Sequence, residues 1–198
     1  MPASALHIVP LARVDRPPMA DSAKMNLTSI NLALQVMEPY LTPAIREQVE
    51  AEFGAYLGKG QYPTVVGIQL VDFLCQACLP EHALTEARRL FGQRSVAKYR
   101  ESILGRVMLA ALPLMGLERI LRQAPRQLSA VNNYGTRWVT ELGPQHWRLD
   151  CDDEIMPPET LQGSIEVVGQ LLHASGLQVT YSLPAPKHIA FEITWSPR

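Results

Sequence analysis

The hydrophobic period of this chain changes after Pro125, and that change constrains the fold more than any other feature. Upstream, apolar residues recur at helical spacing. Downstream, Trp138, Thr140 and Leu142 alternate with Arg137, Val139 and Glu141, the two-residue period of a strand. "GPQ" at Gly143–Gln145 is turn chemistry, and Trp147, Leu149 and Cys151 then alternate again, so a β-hairpin is predicted. "PPETLQGSIEVVGQLLHASG" returns to helix, with Leu161, Ile165, Val168 and Leu172 on one face and Gly176 as its stop. "LQVTYSL" and "HIAFEITW" read as two final strands about a turn at Pro184–Pro186. The order is helices, hairpin, helix, hairpin. It predicts an α+β fold, an N-terminal helical bundle packed on a small antiparallel sheet of about four strands.

The helical part divides at its own punctuation. "NLTSINLALQVM" from Asn26 opens the first helix. In "TPAIREQVEAEFGAYLG", Thr42 is the N-cap, Pro43 fits the first helical position, and Ile45, Val49 and Phe53 form one stripe. Gly58 suits the left-handed stop of that helix. "YPTVVGIQLVDFLCQACLP" is a further helix, opened by Pro63 and closed before Pro80; apolar on most sides, it reads as central. The run from Glu81 to Pro125 is expected to hold two or three helices, broken at Gly92, Gly105 or Pro113 and ended by Pro125. Residues 1–25 contain Pro2, Pro10, Pro17 and Pro18 without a sustained period. They are expected to be a flexible tail, which leaves 26–198 as a single domain.

Composition removes several classes of function. A chain of 198 residues, 47% hydrophobic and 19% charged, has the material for a packed core. A net charge of −1 provides no long-range field for nucleic acid or an anionic membrane, so neither partner is expected. The 3 cysteines are too few and odd in number for a disulfide framework. No segment reads as a signal peptide. The longest nearly apolar stretch, Val107–Leu117, is too short to span a bilayer and carries Pro113. A cytoplasmic protein is the expectation.

The candidate chemistry is sparse. Cys75 and Cys78 lie three apart, but no second ligand pair accompanies them, so no metal site is predicted and both read as buried hydrophobes. Asp150, Asp152, Asp153 and Glu154 lack the ligand spacing of a calcium loop and read as a solvated turn. Arg106, beside a long apolar segment, must find an internal carboxylate such as Glu101 or Glu141, or else anchor an acidic ligand. The histidines are scattered singly, and no nucleophile elbow, zinc-protease motif, phosphate loop or dinucleotide fingerprint occurs. In "NNYGTRW", Asn132 and Asn133 are expected to satisfy backbone groups at the helix-to-strand corner, and Gly135 permits tight packing. Trp138 and Trp147 are expected to clamp the hairpin across its strands.

From Tyr62 to Trp195 the chain resembles an uncharacterised family abundant in myxobacteria, a domain of unknown function. The residues that carry the resemblance are "ARRLFGQRSVAKYRESILGRVMLAAL", "NNYGTRWVTELGP", "LQGSIEVVGQLLHASG" and "FEITW". The arrangement is also similar to a more distant group: vinyl-reductase-like domains, TRAPP tethering subunits and haem–nitric oxide/oxygen sensors. That resemblance implies helices on a small antiparallel sheet, and a domain that binds tetrapyrroles or acyl chains or acts as a dimeric adaptor. The sensors hold haem propionates with Tyr-x-Ser-x-Arg and the iron with a helical histidine. Here Tyr134, Thr136 and Arg137 give a motif one residue short, and no histidine occupies a matching position. On those letters haem of the sensor type is not expected, nor is any other cofactor.

Two readings follow. The first is a non-enzymatic ligand-binding or sensory domain with an apolar pocket between helices and sheet. Arg106, Tyr134 and Arg137 are its candidate binding residues, for a small apolar or acidic ligand. The alternative is an adaptor that forms a homodimer through apolar helix faces such as Ile45/Val49/Phe53 or Val107–Leu117.

Overall fold

The computed structural model describes residues 12–14, 24–57, 61–101, 116–131 and 134–197. Helices α1 (Leu27–Met37), α2 (Pro43–Phe53), α3 (Thr64–Cys78) and α4 (Leu84–Glu101) form the N-terminal layer. The Thr42 hydroxyl accepts the Ile45 N–H at 3.2 Å, and Pro43 opens α2 as its letters predict. Val49 and Phe53 turn inward and pack with Ile30, Met37, Leu70, Leu74 and Phe91 into one apolar cluster. Gly58, the expected stop of α2, lies outside the described residues. The Gly105 and Pro113 break points lie there as well.

Helix α5 (Leu117–Val131) precedes strands β4 (Thr136–Gly143) and β5 (His146–Asp152), and helix α6 (Pro158–Leu171) precedes β6 (Gln178–Ala185) and β7 (His188–Thr194). Both hairpins are antiparallel, and β7 pairs β5, so the expected α+β order holds. The sheet gains one strand beyond the four expected. Strand β1 (Ala12–Val14), from the segment read as a tail, pairs β4 with Ala12 opposite Val139, giving the order β1-β4-β5-β7-β6. A second short pairing joins β2 (Lys24–Asn26) to β3 (Gln61–Pro63).

Two expected helix ends are displaced. Pro125 does not terminate α5, which continues to Val131. A proline inside a helix costs about 3 kcal/mol. The stripe Leu117, Leu121, Ala124 and Leu128 runs past it against the sheet cluster, and each leucine buried there contributes about 1.5–3 kcal/mol. Gly92 does not break α4 either. A Cβ at Gly92 would strike the Thr160 carbonyl of α6, and one at Gly163 would strike the Arg89 carbonyl. The two glycines let α4 and α6 meet backbone to backbone. The Ser164 hydroxyl bridges the contact toward the Gly92 carbonyl (3.2 Å) and its own helix's Thr160 carbonyl (3.1 Å). Arg89 and Gln93 of α4 both donate to Glu166 at 2.9 Å.

Helix α6 is therefore the centre of the molecule. Its glycine side faces α4. Its Leu161, Ile165 and Val168 face the inner side of the sheet, where Val139, Trp147, Leu149, Phe191 and Ile193 form a second apolar cluster. The helix stops at Leu171, ahead of Gly176, because His173 already takes the left-handed conformation at φ 55°.

Candidate functional site

Gly135 sets the local geometry of the candidate site. At φ 72° it holds a conformation that a side chain would strain, and a Cβ there would lie 2.6 Å from the Asp152 carbonyl oxygen. An unbroken strand would send Tyr134 and Arg137 to opposite faces. The turn at Gly135 instead swings Tyr134 back, and both side chains converge on Glu154. The Tyr134 hydroxyl donates to Glu154 Oε1 at 3.0 Å, and Arg137 Nη2 donates to Oε2 at 2.5 Å. Arg137 Nη1 donates to the Tyr134 carbonyl at 2.7 Å. The N–H groups of Ile155 and Met156 complete the set, each 3.0 Å from Oε1.

Tyr134 and Arg137 are each 1% exposed and Glu154 is 5% exposed, so a charge pair has been taken out of water with its hydrogen bonds made. Burial, reinforced by the Glu154 charge, holds the Tyr134 phenol far above its usual range and keeps it a donor. Burial likewise pushes the neighbouring Cys151 thiol up to about 12, with Glu154 adding to the rise and Arg137 opposing it.

This corrects the reading of the acidic run as a solvated turn. Only Asp152 of the four is exposed. Asp150 is buried on the other face of the sheet, 3.0 Å from both His188 Nε2 and Arg148 Nε. The tryptophan clamp is corrected as well. Trp138 stands opposite Asp150, and Trp147 stands opposite Glu141. Those are alternate registers, so the two indoles point to opposite faces. Trp138 packs on the His188 ring at 5.5 Å, whereas Trp147 lies in the core beneath the Arg122 guanidinium, 4.9 Å from its ring centroid.

Glu154 connects this network to open space. A cavity of about 270 Å³ lies between the N-terminal helices and α6, with Glu154, Tyr62, Ser95, Met156, Thr160 and Ser164 in its otherwise apolar wall. A second cavity of about 470 Å³ lies between α5 and α6, walled by Leu117, Ile120, Leu121, Leu149, Ile165 and Val168, with Tyr99, Gln123 and Gln127 contributing polar atoms. Leu128, Leu161 and Ser164 line both. The sequence led to Tyr134 and Arg137, which stand behind the wall rather than in it. It read Glu154 as part of a solvated turn and passed over Thr160 and Ser164, whose only signal was their place in the late helix. Arg106, Asn132 and Asn133 lie outside the described residues.

The remaining candidates are plain in place. Cys75 and Cys78 are buried on α3, and burial, with Asp72 nearby, pushes the Cys75 thiol up to about 12. Among the described residues no three side chains of the metal-ligating types are grouped to hold an ion. No described helix is long and apolar enough to cross a membrane.

Comparison with known proteins adds a fold and a family. No curated protein matches the chain. Among solved structures, the Fe(II) unliganded H-NOX protein from K. algicida is similar at a TM-score of 0.66 and 13% identity, over 88% of this chain and 98% of that one. The H-NOX protein from S. oneidensis in the Fe(II)NO ligation state is similar at 0.61 and 12%, over 87% and 100%. A structure on modulating haem redox potential through protein-induced porphyrin distortion is similar at 0.60 and 8%, over 86% and 100%. These neighbours overturn the expectation that haem does not belong with this chain. At such identities few letters are shared at all, so a motif one residue short does not remove haem from the candidates. Residues 28–196 match "Protein of unknown function (DUF2378)", and the chain belongs to that family.

Proposed function

We propose that this protein is a sensory domain that binds a small, mostly apolar molecule in the cavities flanking α6. The observation that carries the reading is the pair of adjoining apolar cavities between helices and sheet, in a fold whose solved neighbours are H-NOX proteins. Cavities of 270 and 470 Å³ are within the range or near the lower end of those that hold small ligands. Haem is the first ligand to try. The apolar walls suit the faces of a tetrapyrrole, and the lining side chains with an atom able to ligate iron are Tyr62, Tyr99, Met156 and Glu154, the last with both oxygens already hydrogen-bonded. None of the described histidines lines either cavity. A bound haem would supply an iron site for a diatomic gas. The chain's own part would be to exclude water through the leucine walls, and to hold Glu154 fixed by Arg137 and Tyr134.

Native mass spectrometry of freshly purified protein tests this reading, followed by titration with hemin and with the apolar dye N-phenylnaphthylamine. Retained mass that leaves on denaturation, or saturable binding of either probe, is expected. A dimer at the bare polypeptide mass that binds neither probe would overturn the reading in favour of an adaptor.

A further inference from the structure

The five-stranded sheet has two edges, and they are built differently. Strand β1 is 3 residues long and includes Arg13, a short and charged edge of the kind that discourages pairing. Strand β6 runs for 8 residues from Gln178 to Ala185 without a charged side chain. Among the described residues it pairs only with β7. The features that blunt an edge, here a register shift beyond Ser182 and Pro184, sit at its far end. Thr180, Ser182 and Leu183 are exposed. At 63%, Leu183 is more open than Tyr40 and Val65, the other exposed large apolar residues among those described.

The same strand carries a complement to that leucine. By the two-residue period Leu183 falls on the helix side of the sheet with Val179 and Tyr181. Beside Val179, between β6 and the flanks of α4 and α6, lies a groove of about 550 Å³. Ala174, Leu177 and Val179 form its apolar wall, and its one cation, Arg89, is already paired with Glu166 at 2.8 Å. Leu183 does not line this groove. Knob and groove lie a few residues apart along one strand, a displacement that a second strand running the opposite way reverses.

We infer that β6 is a self-pairing edge: two copies of the chain join β6 to β6 about a two-fold axis near Tyr181, each Leu183 enters the groove of the other copy, and the two sheets become one. A two-fold contact is isologous, so both leucines are seated at once. A strand without charges sets no like charges opposite each other when it meets itself. The contact is confined to one strand and one groove, which makes the dimer weak and concentration-dependent rather than permanent. It does not depend on what the cavities flanking α6 hold.

The test is sedimentation equilibrium of the full chain from micromolar to near-millimolar concentration, with Ser182→Cys treated in parallel with a short bis-maleimide. Cys75, Cys78 and Cys151 are buried, so the introduced thiol is the reactive one. A reversible dimer is expected. Ser182→Cys should crosslink to a dimer, and Val65→Cys, exposed on α3, should not. Leu183→Lys should weaken the dimer about tenfold or more, and should leave the urea midpoint of the dilute protein unchanged because the site is exposed. A monomer at every concentration would overturn the inference. A dimer that ignores Leu183→Lys would overturn it as well and move the contact to another face. So would Val65→Cys crosslinking as readily as Ser182→Cys, the mark of random collision.

Discussion

Replacing Arg137 with Met leaves the Glu154 carboxylate buried with Tyr134 and two backbone N–H groups but no counter-charge. The two side chains are 1% and 3% exposed, so solvent cannot fill the gap. Breaking a buried pair from one side costs about 3–5 kcal/mol. At about 2–4 °C per kcal/mol for a chain of this size, melting should fall by about 6 °C or more. Arg137→Met with Glu154→Gln removes the stranded charge, while the amide oxygen still accepts the Ile155 and Met156 N–H groups. The double variant should therefore be more stable than Arg137→Met alone, with a coupling of about 2 kcal/mol between the sites. Urea unfolding at neutral pH, with the slope checked for constancy, measures all four corners of the cycle. Additive single effects, or a cost below about 1 kcal/mol for Arg137→Met, would mean the pair behaves as an exposed one and the reasoning fails.

Two further expectations rest on packing and on protons. Gly92→Ala in an ordinary exposed helix would stabilise by about 1 kcal/mol. Here the added methyl meets the Thr160 carbonyl, so a loss of about 1–3 kcal/mol in urea is expected, and a gain would refute the backbone contact between α4 and α6. The Cys75 and Cys151 thiols, raised from 9.0 to about 12, keep in the folded state a proton that the unfolded chain releases. Their contribution is whole below pH 9 and is lost as pH rises from 9 toward 12, at about 1.4 kcal/mol per pH unit for each group. Chemical denaturation as a function of pH should show that fall, and Cys151→Ala should flatten it.

The elements legible in the letters are those whose own residues decide them. Thr42 caps α2 because its hydroxyl has one obvious N–H to accept. The alternation from Arg137 to Glu141 and from Trp147 to Cys151 gives the first hairpin because one face, with Val139, Trp147, Leu149 and Cys151, packs into the apolar core. What local patterns could not show came from other parts of the chain. Gly92 reads as a breaker until α6 arrives against it, and Pro125 reads as a stop until the sheet rewards the stripe that crosses it. Trp138 and Trp147 look like partners until the register puts them on opposite faces. Tyr134 and Arg137 stand out in the sequence for their chemistry. Their common partner, Glu154, sits beyond the hairpin and only folding brings it back.

The glycine seam between α4 and α6 also decides how the molecule can make room. Two backbones already in contact cannot approach further, and Arg89 and Gln93 tether them from separating. Gln162, one turn before Glu166, ties α6 to the Val179 carbonyl of β6 at 2.8 Å. The floor of the larger cavity is thereby fixed. Its roof is α5, where Pro125 leaves the ladder one hydrogen bond short. A guest too large for the resting volume would lift α5 rather than shift α6. The displacement would travel to β4, along which α5 lies, and from there to the edge strand β1. The stiff member would then gauge the guest, and the compliant one would carry its size to the sheet edge.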